Sequence, residues 1–362
     1  MTGRERLLAI CRHQPVDRLS WTILVDQHTL AGLPPELQGR GGLDLYRYLG
    51  CDVFLLDGWG MPHAFTSPAL VWGAKVQERW HAEGDQSRRE LICPAGALRA
   101  EFRRGHPVRF LVNTLDELRL YREMWEDARF EARDDSVSHQ QLTEALGEDG
   151  IYTRFWGPSA IPRLLEFDLG TEGFYYLLHD HPDEMAALIG VIHERELTAF
   201  RILAQAATPV ITLCENTSTY YISPEIYRRF NGPHVRDFVE IVQGAGKTAL
   251  VHMCGHVRGL LPLIRETGLD GSHALTPPQT GDTPWDLALE VLGEDHIIIS
   301  ALPADRWLLG PVERIPELLD ELMTPRVRRS AFVLGVFADG IPVPLERFEA
   351  VAAWMRRQGL TR

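Results

Sequence analysis

Basic residues are in deficit. The chain carries 37 Lys and Arg against 50 Asp and Glu, a formal net charge of −13 with a pI near 5.5. A surface of that sign has no broad cationic patch with which to neutralise phosphates, so no nucleic-acid partner is expected. Arg-rich stretches such as FRRGHPVR are balanced by neighbouring acids and read as a solvated face. No window reaches 18 apolar residues, so no membrane span is expected. The opening MTGRERLLAICRHQPVDRL mixes basic residues with short apolar runs and is not expected to act as a signal peptide. Cysteine is scarce, with five scattered positions (Cys11, Cys51, Cys93, Cys214, Cys254). That odd set is no disulfide framework; it suits a cytoplasmic chain whose thiols are buried hydrophobes unless chemistry selects one. Internal repeats, low-complexity tracts and the G-x-G-x-x-G of a dinucleotide-binding sheet are also missing.

What is present is alternation. With 362 residues, 45% hydrophobic and 24% charged, the chain reads as a soluble globular enzyme with a large core. Short apolar strands, SWTILV, CDVFLLD, GIYTRFW, PVITLCEN, KTALVHMCG, LDGSHAL, HIIISA and SAFVLG, are separated by amphipathic helices. Thr2 is placed to cap the first helix, and Ser223 followed by Pro224 opens another. Apolar strands alternating with helices predict a parallel sheet covered outside by helices. About eight such units predict an α/β fold, a (β/α)8 TIM barrel forming one domain over 1–362. Residues 69–105 break the alternation with a polar–apolar period of two and turn signals at Gly84-Asp85 and Pro94-Ala95-Gly96. They predict an antiparallel hairpin or meander inserted after the second strand.

In such barrels the chemistry sits at the C-terminal ends of the strands. Those positions hold Asp26 and His28 after the first strand, Asp57 after the second and Trp156 after the third. Glu215 and Asn216 follow the fourth, His252 and Cys254 the fifth, His273 ends the sixth and Asp339 follows the eighth. Imidazole, thiolate and carboxylate from different strands are what a catalytic zinc site uses, one position being kept open. His252 and Cys254 are the candidate ligands, with Glu215 or Asp339 completing the set and His273 next in line. Gly255 would let the backbone turn so that both side chains reach one ion. Asp57, Asn216 and His28 are candidates for orienting substrate or moving a proton, and Trp156, His273 and Asp26 for lining a small-molecule pocket. The competing reading is packing: His252 as a core histidine, Cys214 and Cys254 as filler, and Glu215 or Asp339 in an ion pair with Arg154 or Arg306.

The opening TGRERLLAICRHQPVDRLS resembles that of the uroporphyrinogen decarboxylase superfamily, as do WGPSAIP, SPEIYRRFNGPHVRDFVEIV, VHMCGHVRGLLPLI, LLGPVERIPELLDELM and VLGVFADGIPVPLERFEAVAAWM. The resemblance implies a (β/α)8 barrel, often a homodimer. It also implies one of two chemistries. Cofactor-free decarboxylases of that superfamily carry an Arg-rich N-terminal segment; here no Arg falls between Arg18 and Arg40. Its zinc methyltransferases carry His-x-Cys after the fifth strand and a second Cys in the closing motif. This chain keeps His252 and Cys254 but has Asp339 at the closing position. The resemblance therefore implies a zinc-dependent methyltransferase that exchanges methyl groups between cobalamin on a corrinoid protein and a small acceptor. The alternatives are a decarboxylase in which Asp57 steadies a protonated intermediate, and a non-catalytic protein that binds a corrinoid or a metal.

Overall fold

A computed structural model describes residues 1–57, 65–338 and 340–358. Eight parallel strands form the central sheet: β1 (Ser20–Val25), β2 (Val53–Leu56), β3 (Gly150–Trp156), β4 (Val210–Cys214), β5 (Thr248–His252), β6 (Gly271–Leu275), β7 (Ile297–Ser300) and β8 (Phe332–Ala338). Their order is β1-β8-β7-β6-β5-β4-β3-β2, so the first two strands in sequence stand at the two ends of the ladder. Asp52 N donates to Trp21 O at 2.9 Å and Phe54 N to Thr22 Oγ1 at 3.2 Å, which draws those ends together. The result is the (β/α)8 barrel that the alternation predicts.

Strand parity divides the core in two. Leu24, Phe54, Leu56, Ile151, Val210, Leu250, Ile297, Ile299 and Val333 meet in one cluster inside the barrel, plugged from below by Leu7 and Ile10. Their strand neighbours, such as Trp21, Ile23, Val53, Tyr152, Ile211 and Val251, join the larger cluster between sheet and helices. Each fully buried Leu or Ile contributes about 1.5–3 kcal/mol, so both clusters matter for stability. Going up the interior, the lining turns polar: Thr153 and Thr212 share a hydroxyl bond of 2.8 Å, and His252, His273 and Cys214 follow.

The helices start where the capping rules place them. Thr2 accepts from Glu5 N while Glu5 accepts from Thr2 N, a reciprocal box over Gly3–Cys11. Ser223 caps a helix with Pro224 in its first turn, and Pro182 opens the long Pro182–Ala204 helix. Among the described residues no helix is long and apolar enough to cross a membrane.

The insertion is a four-stranded antiparallel meander: Gln77–Glu83, Gln86–Cys93, Gly96–Arg103 and His106–Arg109. It turns at Gly84-Asp85 and again before Gly96, as the turn residues predict. Ala69–Val71 belongs instead to a separate two-stranded sheet with Arg129–Glu131. The meander is tied to the segment after β3, where buried Asp168 accepts from Tyr121 at 2.8 Å and pairs with Arg89 at 3.8 Å.

Candidate functional site

The C-terminal end of β5 sets the site. Leu250 faces the interior, so His252 does too. Its Nδ1 lies 2.8 Å from Nδ1 of His273, the interior-facing residue of β6. Phe155 meets the His252 ring edge-on at 5.5 Å, and Phe337 and Phe54 stack on His273 at 5.1 and 6.1 Å. Burial among these rings presses the His252 pKa down to about 4, and His273 well below its ordinary value. Both imidazoles are neutral at pH 7, and one hydrogen lies between them.

Two residues on, Cys254 is exposed at the rim. Gly255 permits this placement, although not by a left-handed turn. A Cβ there would sit 2.4 Å from Ser218 Cβ and 2.5 Å from Thr217 O. Glycine is needed because the loops after β4 and β5 pass backbone to backbone. His256 N then donates to Ser218 Oγ at 3.2 Å and Thr219 N to His256 O at 2.8 Å.

Asn216 sits at the junction of those loops, in the left-handed region (φ 45°) that Asn tolerates better than most residues. Its Oδ1 accepts from Cys214 Sγ at 3.4 Å and from Cys254 Sγ at 3.9 Å. Its Nδ2 donates to Glu166 at 3.1 and 3.2 Å, and its carbonyl accepts from Tyr221. Burial raises the Glu166 carboxyl and, more strongly, the Cys214 thiol, so Cys214 stays protonated. Glu166 was not among the strand-end candidates, because it lies on a π-helical turn, Leu164–Asp168, after β3. Cys214, read as a packing residue, faces the site.

Of the predicted site residues, His252, His273, Cys254 and Asn216 come together. Two are turned the other way by one residue of parity. Glu215 follows interior-facing Cys214, so its carboxylate enters the layer between sheet and helices. There it accepts from Ser159 and, at 3.1 Å, from Asn231, with burial pushing its pKa up to about 7. Trp156 likewise points outward and meets Phe130 at 5.6 Å and Phe200 at 5.7 Å, a packing role rather than a pocket wall. Asp26 caps the short helix Gln27–Ala31 by accepting from Thr29 N, and also accepts from Gly340 N, both at 2.9 Å. Burial opposes ionisation there, but those two donors outweigh it and lower the Asp26 pKa. His28 is exposed on the same helix. Asp57 is bound by Arg154 Nε at 2.5 Å and by Phe155 N at 3.3 Å, which fixes the end of β2 against β3. Arg154 is thus paired with Asp57, and Arg306 with Glu321 at 2.7 Å. Asp339 lies outside the described residues.

Comparison with solved structures returns a methyltransferase from Methanosarcina mazei with a TM-score of 0.59 and 15% identity over 99% of each chain. At that identity the likeness speaks for the fold. Comparison with curated proteins gives no match. The family model for uroporphyrinogen decarboxylase (URO-D) matches residues 168–352, from the segment after β3 to the last helix and through the strand that carries His252. A match over half the chain, on a barrel whose strand ends converge as described, makes this protein a member of the uroporphyrinogen decarboxylase family.

Proposed function

We propose that the protein is a zinc-dependent methyltransferase that moves a methyl group between a corrinoid protein and a small acceptor. The observation that carries this reading is the 2.8 Å bond between the Nδ1 atoms of His252 and His273. With the shared hydrogen on His252, Nε2 of that ring keeps its lone pair. This is how metal-binding imidazoles are usually held, the second nitrogen being engaged by a neighbour. The ring is neutral, which ligation requires, and the exposed sulfur of Cys254 follows two residues later. An imidazole and a thiol suit zinc by their chemistry, with His252 and Cys254 as ligands and Asp339, where the resemblance puts a cysteine, proposed as the third. Bound there, zinc would supply Lewis acidity and lower the pKa of an incoming acceptor.

The remaining groups do work of their own. Asn216 holds the Cys254 sulfur and Glu166 on opposite ends of one amide. Glu166, its pKa raised by burial, is suited to take the acceptor's proton on a carboxylate oxygen. Phe155 and Phe337 pack against the rings of His252 and His273 and hold them in place. The exposure of Cys254 suits a methyl group delivered by a separate protein. The decarboxylase alternative would need Asp57 at the substrate, and Asp57 is engaged by Arg154.

Purified protein is expected to carry about one zinc at the mouth and to demethylate methylcobalamin in the presence of a small thiol, read as loss of its visible spectrum. Protein that holds no metal at the mouth and leaves the spectrum unchanged, with free or protein-bound corrinoid, would remove the proposal. A narrower prediction concerns His273. His273→Phe keeps an aromatic ring between Phe54 and Phe337 but deletes the nitrogen facing His252. Zinc affinity, measured by chelator competition, should fall roughly 10- to 100-fold. An unchanged affinity would mean that His273 does not set the His252 tautomer.

A further inference from the structure

A second cluster of donor atoms lies outside the barrel, between the helices Pro182–Ala204 and Gly232–Gly244, which pack on each other. Each helix carries a histidine followed three residues later by an acid, His193 and Glu196 on one and His234 and Asp237 on the other. Residues three apart share a helix face, so both pairs can point at the same seam. They do. One donor atom from each of His193, Glu196 and His234 lies within 4.8 Å of the other two.

The seam is closed over Glu196 and His234 and partly open at Asp237, and some of its polar atoms are left over. His193 Nδ1, His234 Nδ1 and Glu196 Oε1 are buried, and none has a hydrogen-bond partner. The opposite atoms are engaged: His193 Nε2 bonds Asp237 Oδ2 at 2.7 Å, and Glu196 Oε2 accepts from Ala160 N at 3.1 Å. Buried polar groups are almost always satisfied, so an unpartnered atom on each of three clustered residues calls for an occupant. A carboxylate behind one imidazole and a free nitrogen in front is also the usual support of a metal-binding histidine.

We propose that His193, Glu196 and His234 bind a divalent transition-metal ion, as a His2Glu site in the helix layer distinct from the barrel mouth. Imidazole and carboxylate without thiolate suit zinc, and equally iron or cobalt. Zinc–nitrogen bonds of about 2.1 Å keep any two ligands on one ion within about 4.2 Å, so the donors must close by some tenths of an ångström. The two imidazoles now stack at 3.6 Å, with planes 5° apart, which holds their lone pairs in separate parallel planes. Asp237 holds His193 in place, so the ion requires His234, whose Nδ1 has no bond to lose, to swing out of the stack. The site pins two neighbouring helices and needs no access to substrate, so its role is structural.

The test uses full-length Cys254→Ala, which removes the exposed thiol at the mouth. After dialysis this variant should retain about one zinc, and once stripped with a chelator it should melt at higher temperature when zinc is restored. Cobalt(II) in its place should give weak visible bands without the near-ultraviolet sulfur-to-cobalt absorption expected of a thiolate site. Adding Glu196→Gln, which keeps the side-chain size and the bond from Ala160 N, should release the ion and abolish the thermal shift; His234→Gln should do the same. A folded Cys254→Ala protein that holds neither zinc nor cobalt overturns the proposal, as does undiminished binding in the Glu196→Gln protein. The result is independent of the mouth. If no ion binds there, wild type and Cys254→Ala will carry the same single metal.

Discussion

Cys254→Ala is expected to empty the barrel mouth of zinc and to end methyl transfer while leaving the protein folded. The sulfur is exposed at the rim and takes no part in either core cluster. Surface truncations away from such features usually change stability by no more than about 0.5 kcal/mol. The effect on the metal should be of another order. Loss of a supporting partner costs roughly 10- to 100-fold in affinity, and loss of a ligand costs more. Turnover should follow the metal, because any acceptor has to be activated at that point. Metal at the mouth is read by cobalt(II) absorption from thiolate, activity by methylcobalamin consumption, and integrity by thermal melting. An intact fold with full activity in the variant would mean that the His-x-Cys pair is packing.

The second large effect is a pair of opposite pH dependences. His296 is buried, bonded through Nε2 to Ser272 at 2.9 Å, and its pKa is pressed down to about 3 by burial and then by His13. Below pH 6.5 the unfolded chain binds a proton at this position that the folded chain refuses. The stability contributed by the neutral ring is complete above pH 6.5 and is lost as pH falls towards 3. At 1.36 kcal/mol per pH unit, the loss at pH 5 is about 2 kcal/mol. Glu215 behaves inversely, since burial raises its pKa to about 7. Its contribution is complete below about pH 4.5, where the carboxyl is protonated in both states, and is lost as pH climbs to 7, about 3 kcal/mol in all.

His296→Gln should therefore gain about 2 kcal/mol on wild type when urea unfolding is compared at pH 5 and pH 7.5. Glu215→Gln should gain about 3 kcal/mol in the opposite direction, between pH 4.5 and pH 7.5. The new amide can keep its oxygen on Asn231 Nδ2 and turn its NH2 to the Ser159 hydroxyl, which can accept, so the Asn231 donor keeps its partner. Equal pH slopes for wild type and variants would show that neither buried group resists titration.

All eight barrel strands were legible because burial on both faces demands continuous apolar runs, and a parallel strand supplies them without ambiguity. Strand ends were legible only to within one residue, which is the difference between inside and outside. Val210, Thr212 and Cys214 set one face of β4, and the same count assigns Glu215 to the other. Extending the period of two by one residue would have exchanged Glu215 for Cys214, and the same count along β3 would have sent Trp156 outward. Glu166 offered no such signal. It reaches Asn216 from an irregular turn whose path depends on tertiary packing. Gly255 was read as easing a turn, but what requires glycine is the close passage of another loop, which sequence spacing does not encode.

The join between β1 and β2 has a consequence for how the barrel opens. Elsewhere neighbouring strands are joined by parallel ladders, whereas here Asp52 N and Phe54 N reach across singly to Trp21 O and Thr22 Oγ1. What reinforces the join is charge. Buried Asp52 takes Arg6 at 2.5 Å, Arg18 at 2.8 Å and Ser20 at 2.7 Å, and Arg6 also holds Asp17 at 2.7 Å. Local opening draws on regions with few protected backbone bonds. The amides of Asp52 and Phe54 should therefore exchange with deuterium ahead of those in the middle of β4 and β5. Breathing of the cylinder would begin at a clasp made of ions, on the side where the chain's first and second strands meet.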